Sequence, residues 1–359
     1  MQLVVGLMGL VSFAIGWRIF WQLKTPDALS IEHVSLENIS VVIPARNEEN
    51  NLEKLLSSLQ LIKHTFGEII VVDDHSKDNT KIIAKRSNAT LIESSSLPDG
   101  WTGKTWACFQ GAKHAKTPWL LFLDADCTFE SNAAKPMFPL NSAETSVISF
   151  LPYHEMKRSY EQWSSFFNLV MAIGVMDPPQ KLFGQCLLIS TSTYFDKASH
   201  KNVSGRVLEN FYLADQLRKQ GIHTHAFLGR GRFTMRMFPD GAAQMHESWL
   251  KGFSSGAHQT SPKTLGIVIV WLSGLSAIGY STIALFVRSN SSTTLFLLPL
   301  IYAILAIQLF YIQRRIGNYS FLSAVLYPLS LTYFHALFFI GVFQKLLGIR
   351  TSWRGRHVS

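Results

Sequence analysis

The stretch I-S-V-V-I-P-A-R-N-E, residues 39–48, decides the fold class of this 359-residue chain. Its first five residues are rich in β-branched side chains and predict a short strand that Pro44 ends. Helical spacing follows at Leu52, Leu55, Leu56 and Leu59. The alternation then repeats, with strands expected at Glu68–Val72, Ala89–Ile92 and Trp119–Leu123 and helices at Asp78–Arg86 and Gly103–Lys116. This order predicts an α/β fold, Rossmann-like, with a mostly parallel sheet covered on both faces.

Acidic side chains dominate the loops in which these strands end, at residues 44–48, 73–78 and 124–126. Ligands of open parallel sheets bind beyond the carboxyl ends of the strands. The chain contains neither the G-x-x-x-x-G-K-[ST] nor the G-x-G-x-x-G phosphate loop. Asp124 and Asp126 flank Ala125, and such a triplet alone also suits two solvated carboxylates. Beside a phosphate ligand, clustered carboxylates require a hard cation, so the expected cofactor is Mg²⁺ or Mn²⁺.

Apolar runs at both ends of the chain indicate a membrane protein. Hydrophobic residues make up 47% of the chain, and the mean hydropathy is +0.15. We expect an amino-terminal transmembrane anchor at 1–24, a water-soluble domain at 35–260, about three transmembrane segments at 265–345 and a basic tail at 346–359. The alternative for Leu3–Leu23 is a cleaved signal peptide, but no basic segment precedes it and no small-residue cleavage site follows.

The net charge of +9 does not indicate a nucleic-acid partner, because the basic residues form no stripe interleaved with stacking aromatics. Lys24, Lys263 and Arg314-Arg315 instead flank apolar runs. Their placement favours a multi-pass protein of the cell membrane whose central domain faces the cytoplasm. Four full crossings would put basic Arg350, Arg354 and Arg356 outside, so either the last segment, with Pro328 inside it, is re-entrant or the rule fails there.

Three motifs in order, V-V-I-P-A-R-N-E at 41–48, V-V-D-D-H-S-K-D-N-T at 71–80 and L-F-L-D-A-D at 121–126, resemble the family 2 glycosyltransferases with a GT-A fold. The resemblance implies a nucleotide-sugar donor and the domain at 35–260. It also implies the following roles: Pro44, Arg46 and Glu48 line the nucleotide pocket, Asp74 meets the nucleobase, Asp124 contacts the ribose or the metal, and Asp126 binds the metal. Asp73 would shape the turn, and Asp78 also suits a helix N-cap.

The segment W-T-G-K at 101–104 is similar to that of membrane enzymes that glycosylate carotenoids and related lipids. Lys104 would meet the donor diphosphate at a helix amino terminus, unless it is an ordinary solvated lysine. L-P-Y-H at 151–154 and the overall layout resemble the carotenoid-acid glucosyltransferases that act on diaponeurosporenoate. That resemblance implies transfer of glucose from UDP-glucose, with inversion, to a lipophilic carboxylic acid. The alternatives are a hopanoid, diacylglycerol or polyprenyl phosphate acceptor, or a non-catalytic membrane scaffold.

The chain departs from the family at the general base. Family members commonly carry Glu-Asp before a helix, whereas here Glu209 is followed by Asn210, which cannot accept a proton. Either Glu209 is the catalytic base, or the acceptor is an acid that is already ionised at neutral pH.

A second departure concerns the motif Q-x-x-R-W of polymer synthases. Here Gln244–Trp249 reads Q-M-H-E-S-W, with Glu247 in place of the arginine. We take this as evidence against polymer synthesis and place Trp249 and Glu247 at the acceptor mouth, although a simply packed tryptophan is the alternative. The apolar stripe in Tyr160–Met176 is either core or an interfacial helix.

Overall fold

The computed structural model describes residues 2–26, 32–62, 66–130, 139–140, 146–178, 180–206, 208–256, 260–288, 297–347, 352–353 and 356–357. The α-helices in these ranges are α1 (Gln2–Gln22), α2 (Glu49–Gln60), α3 (Thr80–Arg86), α4 (Gly103–His114), α5 (Ser165–Met176), α6 (Thr191–Asp196), α7 (Glu209–Lys219), α8 (Ala242–Gly256), α9 (Pro262–Arg288), α10 (Leu297–Ile316), α11 (Phe321–Val325) and α12 (Tyr327–Leu346). Short 3-10 helices lie at Leu36–Asn38, Ser159–Ser164 and His200–Val203. The strands are β1 (Glu32–His33), β2 (Ile39–Ala45), β3 (Glu68–Asp73), β4 (Thr90–Glu93), β5 (Trp119–Leu123), β6 (Cys127–Phe129), β7 (Pro139–Leu140), β8 (Ser146–Leu151), β9 (Tyr153–His154), β10 (Cys186–Ser190), β11 (His223–Leu228), β12 (Phe233–Met235), β13 (Ser352–Trp353) and β14 (Arg356–His357).

A mixed, mostly parallel sheet forms the centre of the α/β part, as the sequence predicted. The strand order is β11-β8-β10-β5-β2-β3-β4. β2 pairs in parallel with β3 and β5, β3 with β4, and β8 with β11, whereas β10 runs antiparallel to β5 and β8. Val42 lies opposite Ile70 and Phe122, and all three are buried. Such continuous burial is expected of strands that are covered on both faces. Three smaller strand groupings accompany this sheet: β1 with β7, β6 with β12 and β9, and β13 with β14.

Pro44 does not end its strand, contrary to the sequence prediction. β2 continues through Ala45, and Pro44 lies opposite Val72 of β3. Pairing with β5 stops at Val42, so the end of β2 has a strand neighbour on one side only. Proline lacks the backbone N–H and is tolerated at such an edge position.

Helix α4 is held against the sheet at both its centre and its amino terminus. A Cβ on Gly111 would lie 2.4 Å from Val42 Cγ1, so only glycine allows this approach. At the helix start, Thr102 and Thr105 form a reciprocal capping box, and Thr105 Oγ1 also donates to the Ser204 carbonyl at 2.7 Å. These contacts fix the first turn of α4, which carries Lys104.

The chain divides into two compact units. The sheet unit comprises Lys24–His154 and Pro178–Arg236, and the helical unit comprises Met1–Leu23, Glu155–Asp177 and Met237–Ser359. This division differs from the domain predicted at 35–260, because residues 155–177 and the segment after 236 belong to the helical unit. In that unit α5 packs on α9, α10 and α12, and α8 packs on α12. The predicted tail at 346–359 lies largely outside the described residues, including Arg350 and Arg354.

Three helices of the described chain are long and apolar enough to cross a membrane: Leu3–Gln22, Pro262–Leu285 and Leu297–Ile316. They agree with the predicted anchor and with two of the predicted later segments. The last predicted segment, which contains Pro328, is interrupted at Leu326 between α11 and α12, and Pro328 lies in the first turn of α12. Within the helical unit, Ser12 Oγ donates to the Trp271 carbonyl at 2.8 Å and so joins α1 to α9.

Candidate active site

The loops after β2, β3 and β5 meet at one edge of the sheet, because these three strands are parallel neighbours. The Asp74 backbone N–H donates to the Ala45 carbonyl at 2.8 Å and ties the first two loops together. The Asp124 N–H donates to the Gln185 carbonyl at 2.9 Å and ties the third loop to the residue before β10. The acidic residues predicted from sequence therefore share one edge.

The first two loops are further locked by Asn47. This residue has a φ of 55°, in the left-handed region that asparagine tolerates better than most residues. Its backbone N–H donates to Ser76 Oγ at 2.9 Å, and its side-chain oxygen accepts from the Lys77 N–H at 2.8 Å. This lock brings Arg46 to Asp74, with 3.4 Å between Nη1 and Oδ2. Arg46 and Asp74, two of the four residues predicted to bind the nucleotide, are thus neighbours.

Asp73 and Asp78 shape the loop after β3. Asp73 is buried, and its Oδ2 accepts from the Ser76 N–H at 3.2 Å, which fits the predicted role in the turn. Asp78 accepts from the Thr80 N–H at 3.0 Å and from the Glu49 N–H at 3.1 Å. Although burial opposes it, the hydrogen bond from the Thr80 hydroxyl and these two backbone hydrogen bonds lower the pKa of Asp78. α3 begins at Thr80, two residues later than predicted, with Asn79 at the N-cap position.

Lys104 joins the loop that carries Asp124 and Asp126 to the start of α7. Its Nζ lies 2.7 Å from Asp124 Oδ1 and 3.6 Å from Glu209 Oε1, and it donates to the Gly184 carbonyl at 3.3 Å. Burial by itself would lower the pKa of Lys104, but the two carboxylates outweigh it and raise this pKa above its usual value. Lys104 is therefore a half-buried cation held by two carboxylates, which an ordinary solvated lysine is not, and its contact with the donor diphosphate stays a prediction.

Asp126 is the least satisfied acid of the site. It lies in the turn between β5 and β6, and its Oδ1 is buried without a hydrogen-bond partner among the described residues. Burial, together with the nearby Asp124 and Glu48 carboxylates and against the opposing charge of Lys104, raises the pKa of Asp126 to about 7. An unpartnered carboxylate oxygen beside other acids is suited to a cation.

Glu48 is held next to this acid by its own loop. Its backbone N–H donates to Thr80 Oγ1 at 2.9 Å, and its Oε2 accepts from Asn51 Nδ2 at 2.8 Å. In the described part of the chain no group of three or more His, Cys, Asp or Glu side chains is gathered as a metal site. Mg²⁺ commonly uses only one or two protein carboxylates together with substrate phosphates, and Asp124 with Asp126 fits that requirement.

Glu209 and Asn210 begin α7, which is anchored by the buried Leu213, Ala214 and Leu217. Glu209 is only 5% exposed, and its Oε1 accepts from Asn210 Nδ2 at 3.1 Å. Burial raises the pKa of Glu209, whereas Lys104 and the hydrogen bond from Asn210 oppose this rise.

Sequence reasoning missed the contribution of the 184–185 segment. A Cβ on Gly184 would lie 2.0 Å from Asn210 Nδ2, so glycine is needed for the amide to reach its place. The carbonyl groups of Gly184 and Gln185 also hold Lys104 and the Asp124 backbone. The antiparallel insertion of β10 beside β5 brings this segment to the site, and the F-G pair at 183–184, which resembles the carotenoid-acid glucosyltransferases, is the sequence signal that could have found it.

Trp249 and Glu247 both lie on α8 of the helical unit. The Trp249 ring stacks on Phe167 with centroids 4.5 Å apart and meets Phe238 edge-on at 5.9 Å. Glu247 is exposed. The environment of Trp249 agrees with the packed alternative, and the acceptor role of both residues stays a prediction.

Comparison with known proteins identifies the family. The model of glycosyl transferase family 2 matches residues 40–203. The 4,4'-diaponeurosporenoate glycosyltransferase of Staphylococcus aureus strain N315 is 32% identical over 365 aligned residues, covering 97% of this chain and 95% of that protein. The chain belongs to glycosyl transferase family 2. This family-2 chain is therefore a glycosyltransferase, and the predicted GT-A fold class is confirmed.

Solved structures resemble the chain more distantly. A mannosyltransferase of Pyrobaculum calidifontis, solved with GDP-mannose and Mn²⁺, is 15% identical over 92% of this chain and 99% of its own, with a TM-score of 0.49. Glucosyl-3-phosphoglycerate synthase of Mycobacterium tuberculosis, solved with Mn²⁺, UDP and its product, is 18% identical over 62% of this chain and 80% of its own, with a TM-score of 0.41.

Proposed function

We propose that this glycosyltransferase moves glucose from UDP-glucose, with inversion, onto a membrane-dissolved carotenoid carboxylic acid to form a glycosyl ester. A 32% identical relative named for diaponeurosporenoate, which aligns over nearly the whole chain, supports the acceptor class. The three apolar helices supply the membrane association that such an acceptor requires.

Asn210 is the residue that favours a carboxylic acid over an alcohol as the acceptor. The family commonly has an aspartate there, whereas here the amide donates to Glu209 and removes one negative charge from the acceptor side. A carboxylic acid has a reference pKa of about 4 and is ionised at neutral pH, so it needs no base. Lys104, Asp124 and Glu209 together hold a net charge of −1, which is less repulsive to an anionic acceptor than the −2 that an aspartate at 210 would give.

The donor is held by the loops after β2, β3 and β5. Pro44, Arg46, Glu48 and Asp74 line the nucleotide side, and Asp124 and Asp126 hold Mg²⁺ or Mn²⁺. Such a cation, when bound, neutralises the charge that develops on the departing diphosphate. Lys104, fixed at the start of α4, adds a second positive charge to this place.

The reaction is a single displacement at the anomeric carbon. A carboxylate oxygen of the acceptor forms the new bond to C1, the bond from C1 to the β-phosphate oxygen breaks, and UDP leaves with the electron pair. Glu209 orients the acceptor through its contacts with Lys104 and Asn210, and it is the base only if the acceptor is a hydroxyl.

The test is transfer of radiolabelled glucose from UDP-glucose into extractable lipid by membranes that contain the protein. A carotenoid acid and the corresponding alcohol are offered in parallel, with Mg²⁺ or Mn²⁺. We expect label in the acid, and loss of that label in Asp126→Asn. Label found only in other lipids would show that the acceptor is not a carotenoid acid. Absence of label with every nucleotide sugar tested would refute the proposed transferase activity.

We also propose that the sheet unit faces the cytoplasm. Lys24, Lys263 and Arg314-Arg315 border the candidate spans, and such bases favour the cytoplasmic side. Lys219→Cys places an exposed thiol on the sheet unit, while the three native cysteines are buried. A membrane-impermeant maleimide should label this thiol only after the cells are opened. Labelling in intact cells would place the sheet unit on the outer side of the membrane.

A further inference from the structure

A groove of about 410 Å³ opens in the helical unit. Its lining comes from two places in the chain, residues 156–163 and residues 320–330. The first segment supplies Lys157, Arg158 and Trp163, and the second supplies a row of leucines on α11 and at the start of α12. One side of the groove is therefore basic and the other apolar.

The basic side carries two cations above the buried Glu161 carboxylate, which accepts from the Lys157 and Arg158 backbone N–H groups at 2.5 and 2.7 Å. Lys157 and Arg158 are both exposed, and Lys157 Nζ lies 3.2 Å from Glu155 Oε2. Among the residues that the structure describes, no carboxylate lies within 4.0 Å of the Arg158 guanidinium. A planar guanidinium with five N–H donors is well suited to a phosphate group.

The apolar side of the groove is exposed, and it belongs to the unit that carries the candidate membrane spans. Leu322, Leu326 and Leu329 are 63%, 45% and 50% exposed, and Trp163 is 41% exposed. The Trp163 ring meets Tyr333 edge-on with centroids 5.8 Å apart, so it stands at the border of both sides. Tryptophan between exposed bases and exposed leucines is the arrangement found at the membrane interface.

The two walls are fixed to each other by hydrogen bonds. The Ser320 N–H donates to Gln162 Oε1 at 3.0 Å, and the Met156 N–H donates to Asn318 Oδ1 at 2.5 Å. The groove is therefore preformed, and a ligand would not have to order it.

We propose that this groove binds one anionic phospholipid, with the headgroup phosphate against Lys157 and Arg158 and an acyl chain along Leu322, Leu326 and Leu329. The charge of the basic side selects an anionic headgroup over a zwitterionic one. The leucine row requires an apolar chain, which inorganic phosphate lacks. The proposal does not rest on the glycosyl transfer proposed above.

The experiment uses the full chain, purified in a neutral detergent, stripped of lipid and titrated with phosphatidylglycerol or phosphatidylcholine under native mass spectrometry. We expect one saturable phosphatidylglycerol and weaker binding of phosphatidylcholine. Lys157→Gln/Arg158→Gln should weaken phosphatidylglycerol binding roughly 30-fold, since each basic residue near an anionic lipid contributes about fivefold. Lys157→Arg/Arg158→Lys should retain binding, and Leu322→Gln should weaken both lipids.

The matched control is Lys85→Gln/Arg86→Gln, which removes the same two residue types from the exposed end of α3. Equal loss in this control and in the groove variant would refute the site, as would equal affinity for the two phospholipids. Displacement of phosphatidylglycerol by a carotenoid acid would identify the acceptor as the occupant and overturn the proposal. The gel-filtration profile of each variant separates loss of binding from loss of folding.

Discussion

Replacing Glu209 by Gln separates the two chemical roles open to this residue. The change removes the charge but keeps the side-chain length and an oxygen that can still accept from Asn210 Nδ2, now 3.1 Å from Glu209. Lys104 loses its partner at 3.6 Å and keeps Asp124 at 2.7 Å. The cluster of Lys104, Asp124 and Glu209 then changes from a net charge of −1 to neutral.

The expected effect depends on the acceptor. A partly exposed ion pair contributes about 1 kcal/mol, so lost positioning of Lys104 should slow transfer to the acid by no more than about fivefold. The lower negative charge near the incoming carboxylate works in the opposite direction. An alcohol has a proton to lose, and removal of its base should slow its transfer by roughly 10²- to 10⁴-fold.

The assay measures kcat/KM for the carotenoid acid and its alcohol with the full chain in detergent. Asp215→Asn is the matched control, since it removes a carboxylate from an exposed part of the same helix, where Asp215 pairs with Arg218. A loss above 100-fold with the acid, absent in the control, would refute the view that the acceptor needs no base. If the wild-type enzyme does not use the alcohol, the kcat/KM for the acid alone decides between the two roles of Glu209.

Three further changes test the site and the fold. Asn210→Asp should lower transfer to the acid about tenfold or more by adding a charge beside Glu209, and an unchanged acid-to-alcohol ratio of kcat/KM would contradict this. Gly184→Ala should push the Asn210 amide away from Glu209, because its Cβ would lie 2.0 Å from Asn210 Nδ2, and should lower kcat/KM more than stability since the amide is the end of a flexible side chain; a kcat/KM equal to wild type would argue against this packing. Burial lowers the pKa of His154 to about 4, so the unfolded chain binds the proton more tightly than the folded chain. The free energy of unfolding should therefore fall as the pH drops from about 6.5 towards 4, by roughly 2–3 kcal/mol at pH 4.5. His154→Leu should flatten this part of the stability profile, measured by intrinsic fluorescence on heating at pH 7.5 and 4.5; an unchanged profile would show that His154 is not the group that titrates.

Local pattern was sufficient for most strands of the sheet. Trp119–Leu123 agrees with the prediction at both ends, and Glu68–Asp73 differs by one residue, since a buried strand is recognisable from its own apolar residues. The sequence places Pro44 after the strand because it does not tell where pairing with β5 stops. Residues 155–177 fall inside the domain predicted at 35–260, and the sequence leaves their apolar stripe open between core and interfacial helix because both environments favour the same residue types.

The sequence by itself determined the fold class, the candidate spans and the acidic loops, because strand and helix periodicity and the order of motifs are properties of neighbouring residues. The tertiary structure decided the contacts between distant segments: that Lys104 lies between Asp124 and Glu209, that Gly184 makes room for Asn210, and that Trp249 packs on Phe167. These contacts arise from the insertion of β10 and from helix packing. The physical reason is that burial and charge depend on what surrounds a side chain, and residues far apart in the chain supply those surroundings.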